Sequence, residues 1–208
     1  MNNLAYGTQQ QEKIAPQIEE KLRKELGAPA PLQYQVVVSG AAATSAKTVL
    51  GDIAGGLVGH HSDSLYTISF DPPQPRPFHL DVKIDRQGVG CHAGLLLYTA
   101  QTNKPLKGEV TLDPGKLFSG PKFAGDPDAC ARLNAKGDLA KRVMKFARTE
   151  AELGGMTIRQ DRVVRIIPQD GVALVMIGTL GRPTSMGMDV SLDAKEFLDI
   201  FKMIEQVL

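Results

Sequence analysis

Apolar positions recur with helical spacing in three stretches of the chain, and with strand-like alternation in the stretches between them. Ile14, Ile18, Leu22 and Leu26 recur every four residues and form one stripe. Glu19 with Arg23 and Glu20 with Lys24 stand beside it as i,i+4 pairs in the favourable order. Thr8 with Gln11 reads as a capping box for this helix, and Gly27 and Pro29 stop it. Pro16 sets either a start near that residue or a kinked first turn, because inside a helix its ring removes a donor and clashes one turn back. In the middle of the chain Asp126 suits an N-cap, Pro127 the first helical position, and Asp128 the positive end of the helix dipole. Asn134 and Gly137 interrupt that run and Asp138 offers a second cap, so two short helices or one kinked helix are expected to about residue 148. Asp193 with Glu196 resembles a third start. Phe197, Ile200, Phe201, Ile204 and Leu208 then form an apolar face that should close the core.

Strands are expected over 33–39, 65–70, 78–84, 91–99 and 108–112. Residues 78–84 give the cleanest alternation, with Phe78, Leu80, Val82 and Ile84 against His79, Asp81 and Lys83, as in a half-exposed strand. Residues 156–167 and 172–177 read as two further strands joined at Gln169-Asp170-Gly171. The second of these is apolar at every position and belongs inside the sheet. Residues 71–77 form a proline-rich connection, 104–126 wrap the surface, 181–187 are a loop, and 188–191 add a short strand. These patterns predict a single α+β domain over 1–208, with a mostly antiparallel sheet flanked by N-terminal, central and C-terminal helices. Residues 1–30 would be its most peripheral part.

Composition narrows the picture modestly. The 208 residues carry a net charge of +1, with 42% hydrophobic and 23% charged positions, as in ordinary globular proteins. That balance argues against broad electrostatic binding to nucleic acid. Cys91 and Cys130 are too few for a disulfide framework, and the first residues lack the basic and apolar segments of a signal peptide, so a cytoplasmic protein is expected. Residues 40–59 are rich in Ala and Gly, with Val49, Leu50, Ile53, Leu57 and Val58 at roughly helical spacing. Lys47 and Asp52 speak against a membrane span there. The glycines match neither a P-loop nor the dinucleotide fingerprint. The segment is either a close-packing helix, a loop, or a surface for a membrane or protein partner.

Candidate chemistry lies in one window, which holds His60, His61, His79 and His92 with Cys91, Asp63, Asp81 and Asp85. Imidazole and carboxylate are the ligands of zinc and similar ions, and His79-x-Asp81 puts both side chains on one face of a strand. His60, His61, His79 and Asp81 are therefore the candidate metal ligands, although no spacing of the His-Glu-x-x-His or Cys-x-x-Cys kind is present. No Gly-x-Ser-x-Gly elbow surrounds any serine, and adjacent Cys91 and His92 would point to opposite faces of a strand. No catalytic residue and no cofactor is assigned. Arg159, Arg162 and Arg165 would be split between the faces of a regular strand.

Asp128-Ala129-Cys130-Ala131-Arg132-Leu133, followed by more helix, two strands and an amphipathic helix, resembles the C-terminal half of an uncharacterised, mostly membrane-anchored bacterial family of unknown function. The resemblance covers residues 118–208 and implies an α+β fold in a bacterial protein, with no catalytic residue. Unlike most of that family, the chain has no apolar run of bilayer length. The leading expectation is a non-enzymatic binding or accessory domain. The alternatives are a metal-dependent, hydrolase-like enzyme using the window 60–92, and a peripheral membrane or partner-binding protein acting through 40–59.

Overall fold

The computed structural model describes residues 3–38, 64–87, 91–115, 119–153, 156–159, 161–180, 182–184 and 189–208. Helix α1 (Asn3–Leu26) precedes four strands, β1 (Tyr34–Val38), β2 (Ser64–Phe70), β3 (His79–Gln87) and β4 (Cys91–Gln101). Then come β5 (Val110–Asp113), β6 (Lys122–Gly125), α2 (Pro127–Ala135) and α3 (Leu139–Phe146). The hairpin β7 (Glu150–Leu153) and β8 (Met156–Arg159) leads to β9 (Val164–Gln169) and β10 (Val172–Leu180). The small hairpin β11 (Arg182–Thr184) and β12 (Asp189–Ser191) precedes α4 (Ala194–Val207). Eight strands form one sheet in the order β1-β2-β3-β4-β10-β9-β5-β6, and every neighbouring pair is antiparallel. The fold is α+β, as the pattern of apolar positions indicates. Among the described residues no helix is long and apolar enough to cross a membrane.

One face of this sheet carries the core. Ile68, Phe70, Leu80, Val82, Leu96, Tyr98, Val164, Ile166, Val175 and Ile177 are buried there against Leu22, Leu133, Val143, Phe146, Phe197 and Phe201 from the four helices. Aromatic rings fill its centre, with Phe197 stacked on Tyr98 at 4.7 Å between centroids and Phe78, Phe146 and Phe201 within 6.4 Å of Phe197. The Tyr98 hydroxyl, although fully buried, donates to the Leu192 carbonyl, so the ring adds area without an orphaned polar group. Phe201 and Ile204 are also completely buried, and α4 closes the core as its apolar face predicts.

Local chemistry explains several boundaries. The Asp126 carboxylate accepts from the Ala129 N–H at 2.9 Å and Pro127 begins α2. The interruption between Ala135 and Leu139 separates α2 from α3, which gives the two-helix outcome. Asp170 and Gly171 both have positive φ, 51° and 82°, and make the two-residue turn that joins β9 to β10. β10 lies between β4 and β9, inside the sheet.

Other boundaries differ from those the sequence suggests. Helix α1 runs from Asn3 through Pro16, so Thr8 and Gln11 lie inside it rather than at its start. Burial of Ile14, Ile18 and Leu22 along one side of α1 offsets the local penalty of the proline ring, about 3 kcal/mol. The expected strand 156–167 is two strands in two different sheets, because Asp161, Arg162 and Val163 leave the strand conformation between them. β5 falls on the expected strand 108–112, but the surface wrap at 104–126 also contains β6, and the loop 181–187 contains β11. β6 escapes notice because only Phe123 of its four residues is buried. Its outer edge is satisfied by α2, where Asn134 Oδ1 accepts from the Phe123 N–H at 2.8 Å and Asn134 Nδ2 donates to the Phe123 carbonyl at 2.9 Å. Asp193 does not cap α4 with its side chain, since it takes a left-handed conformation and its carboxylate meets Arg148 at 2.9 Å. Glu25 of α1 accepts from the Ala194 N–H instead, at 2.9 Å, while Glu196 pairs with Arg142.

Candidate functional site

The reverse face of β2 and β3 carries a cluster of polar side chains joined by short hydrogen bonds. Strand alternation sends Leu80 and Val82 into the core and turns His79, Asp81 and Lys83 the other way, all half-buried. The β2–β3 register sets Ser69 across from Asp81 and Thr67 across from Lys83. One more step along that register reaches Asp71 and His79 at the mouth of the connection. Asp71 Oδ1 lies 2.8 Å from His79 Nδ1, and Asp81 Oδ1 lies 3.0 Å from His79 Nε2. The Ser69 hydroxyl donates to the same Asp81 oxygen at 2.6 Å. The imidazole is therefore held at both nitrogens by carboxylates.

A neutral imidazole has one N–H donor and one lone pair, so between two carboxylates one contact would be repulsive. Protonation turns both contacts into charge-assisted hydrogen bonds. The bond to Asp81 is the largest cause of the shift of His79 from 6.5 to about 9, with burial opposing it and Asp71 adding to it. Burial pushes the Asp81 carboxyl up, but the His79 contacts and the Ser69 hydroxyl outweigh it and hold it below the usual carboxylate range. His79 is thus a fixed imidazolium at neutral pH, with both ring N–H groups committed.

The connection that supplies Asp71 is anchored on the opposite side of the molecule as well. The Arg76 guanidinium grips both Glu205 oxygens on α4 and sits 4.6 Å over the Phe201 ring. The Asn103 N–H adds a bond of 3.2 Å to Glu205. On the reverse face, the polar strip ends at β4, where Thr99 lies across from His79 and Leu97 across from Asp81, both buried. Leu97, Leu174, Met176 and Leu180 continue the buried surface over β4 and β10. Gly178 belongs to the same row, and the Val163 side chain would lie 3.0 Å from a Cβ there, so the segment before β9 crosses the sheet closely at that point.

Of the four candidate metal ligands, His79 and Asp81 are brought together, while His60 and His61 fall outside the described residues, as does the segment 40–59. Among the described residues no group of three or more His, Cys, Asp or Glu side chains is placed to hold a metal ion. The Cys130 thiol is buried, and burial pushes its pKa up, which makes it a small core group rather than a nucleophile. Arg165 pairs with Glu109 on β9, whereas Arg159 ends β8, so the three arginines do not share one strand. Ser69 and Asp71 are the site residues that the sequence reading misses. Their signal is parity, because residues 69, 71, 79 and 81 all face one way once the two strands are paired. No protein family, no curated protein and no solved structure matches this chain.

Proposed function

We propose that the chain is a non-enzymatic binding or accessory domain whose recognition surface is the half-exposed face of β2 and β3. The observation that supports this most is the engagement of both His79 ring nitrogens by carboxylates. A metal ligand or general base needs a nitrogen lone pair, which the doubly hydrogen-bonded imidazolium must first free by giving up a proton, so the clasp disfavours both roles. Fixed charges, one imidazolium between two carboxylates, flanked by Thr67, Ser69 and Lys83 suit directed hydrogen bonding to a polar partner surface. A cytoplasmic location is part of this reading, supported by the two isolated cysteines of the sequence. Elemental analysis of the purified full chain, prepared without chelator beside a His79→Ala variant, tests it. The expected result is metal well below one ion per chain in both. Stoichiometric zinc, iron or manganese that disappears in His79→Ala overturns the reading and favours the metal-dependent hydrolase.

A further inference from the structure

The two edges of the eight-stranded sheet are finished differently. At β6 the side-chain amide of Asn134 bonds both the N–H and the carbonyl of Phe123, copying a rung of the ladder and closing that edge to another strand. At β1 no described strand pairs on the outer side. Tyr34 and Val37, 38% and 58% exposed, are the exposed large hydrophobic side chains among the described residues, and both belong to this five-residue strand. The sequence Tyr-Gln-Val-Val-Val carries no charge, proline or glycine, so none of the residue types that usually protect an edge lies within the strand. The strand is also held ready to pair. Its approach is fixed by the Leu32 N–H, which donates to Glu19 of α1 at 2.8 Å, and Tyr34 rests on Phe70 at 5.7 Å between ring centroids.

We infer that β1 pairs antiparallel with β1 of a second copy about a two-fold axis, joining two sheets into one. The sequence of the strand favours itself as partner. Pairing centred on Val36 sets Tyr34 across from Val38 of the other copy and Gln35 across from Val37. Aromatic and β-branched side chains make favourable cross-strand pairs, and an uncharged strand meets its own copy with no like charges opposed. Pro29 and Pro31 lack N–H donors, so the ladder cannot extend far before Tyr34, and a five-residue partner matches the available length. The axis stands perpendicular to the sheet, which keeps the helix layers of both copies on one side and sets α1 beside its mate. A ladder this short gives a reversible dimer rather than a permanent one.

Light scattering and sedimentation velocity of the full chain across a concentration series test the inference, with Val37→Lys alongside. Val37 is largely exposed, so the lysine leaves the fold in place while adding a charge to each half of the pair. The expected result is a dimer that dissociates on dilution, with a dissociation constant at least tenfold weaker in Val37→Lys and the same melting temperature in both proteins once diluted to monomer. A Val36→Cys variant checks the register, because facing Cα atoms in an antiparallel pair are about 4.5–5.5 Å apart, within disulfide reach. Mild oxidation should cross-link that variant into dimers well above the wild-type level. A chain that stays monomeric up to ~1 mM, a weak-binding limit, overturns the inference and leaves the edge to a peptide of another sequence. A dimer that Val37→Lys does not weaken, or that Val36→Cys does not cross-link, overturns it too.

Discussion

On the helix side of β2 and β3, Ile68, Phe70, Leu80 and Val82 are completely buried, while their alternate neighbours Thr67, Ser69, Asp81 and Lys83 remain half-exposed on the reverse side. The same two strands thus serve two kinds of cohesion. The helix side is held by area removed from water, which is non-directional and indifferent to protonation. The reverse side is held by a clasp of three charged groups and a hydroxyl, whose strength depends on one proton and on bond angles. A site that must keep polar groups in a defined arrangement can be placed on the second side because the first supplies the stability.

Emptying the helix side should have the largest effect. Phe197 is completely buried among four other rings, so Phe197→Ala should lower stability by about 3–5 kcal/mol, measured by chemical denaturation. The size of that loss should be the same at pH 6.5 and pH 9. A midpoint that does not move would show that α4 contributes nothing to the shared core, and the contrast between the faces would fail.

The reverse side should respond to pH instead. The folded-state pKa of His79, about 9, lies above its ordinary 6.5, so the folded chain keeps a proton that the unfolded chain releases. This stabilisation is complete below pH 6.5, declines as pH rises, and is gone above about 9. Asp71 is largely exposed, so solvent reduces its share, and the loss over that window should be about 1–3 kcal/mol. His79→Gln should flatten the pH dependence between those limits. An equally steep curve in the variant would assign the effect to another group.

The smallest change is expected where neither kind of cohesion operates. Arg132 is exposed on α2, and the Asp128 carboxylate one turn before it lies 3.8 Å from Lys107 across the surface. Arg132→Ala should therefore shift stability by less than about 0.5 kcal/mol. A larger loss in thermal denaturation would place this guanidinium in the structural network.

Period-two and period-3.6 patterns made most of the layers legible, because both report burial on one side of an element. Residues 78–84 placed His79 and Asp81 on one face, and the apolar run 172–177 placed β10 in the middle of the sheet. What stayed hidden depends on pairing between segments. Asp71 joins His79 only through the β2–β3 register, and Asp71 reads locally as the first residue of a proline-rich turn. The cap of α4 was equally hidden, since Asp193 has the right chemistry in the right place, yet Glu25, 169 residues away, accepts from Ala194. Arg76 gave no signal at all, because its partner Glu205 lies on the polar side of a distant helix.

The position of α4 in the chain also bears on how the protein is made. The strands β1 to β4 are neighbours in sequence order and pair consecutively, so they can associate while synthesis continues. On their apolar side Phe78 and Tyr98, at the end nearest β10, are covered by Phe197 of α4, which leaves the ribosome after every strand of the sheet, whereas α1, made first, lies against β1 and β2. β4 also waits for β10, its partner from Leu95↔Leu180 to Gln101↔Leu174. Between those events β4 would present an unpaired edge and Tyr98 an uncovered ring, the features that make a partly folded chain prone to aggregate. Slow translation over 102–171 would lengthen that exposure, whereas the arrival of Phe197 and Phe201 ends it.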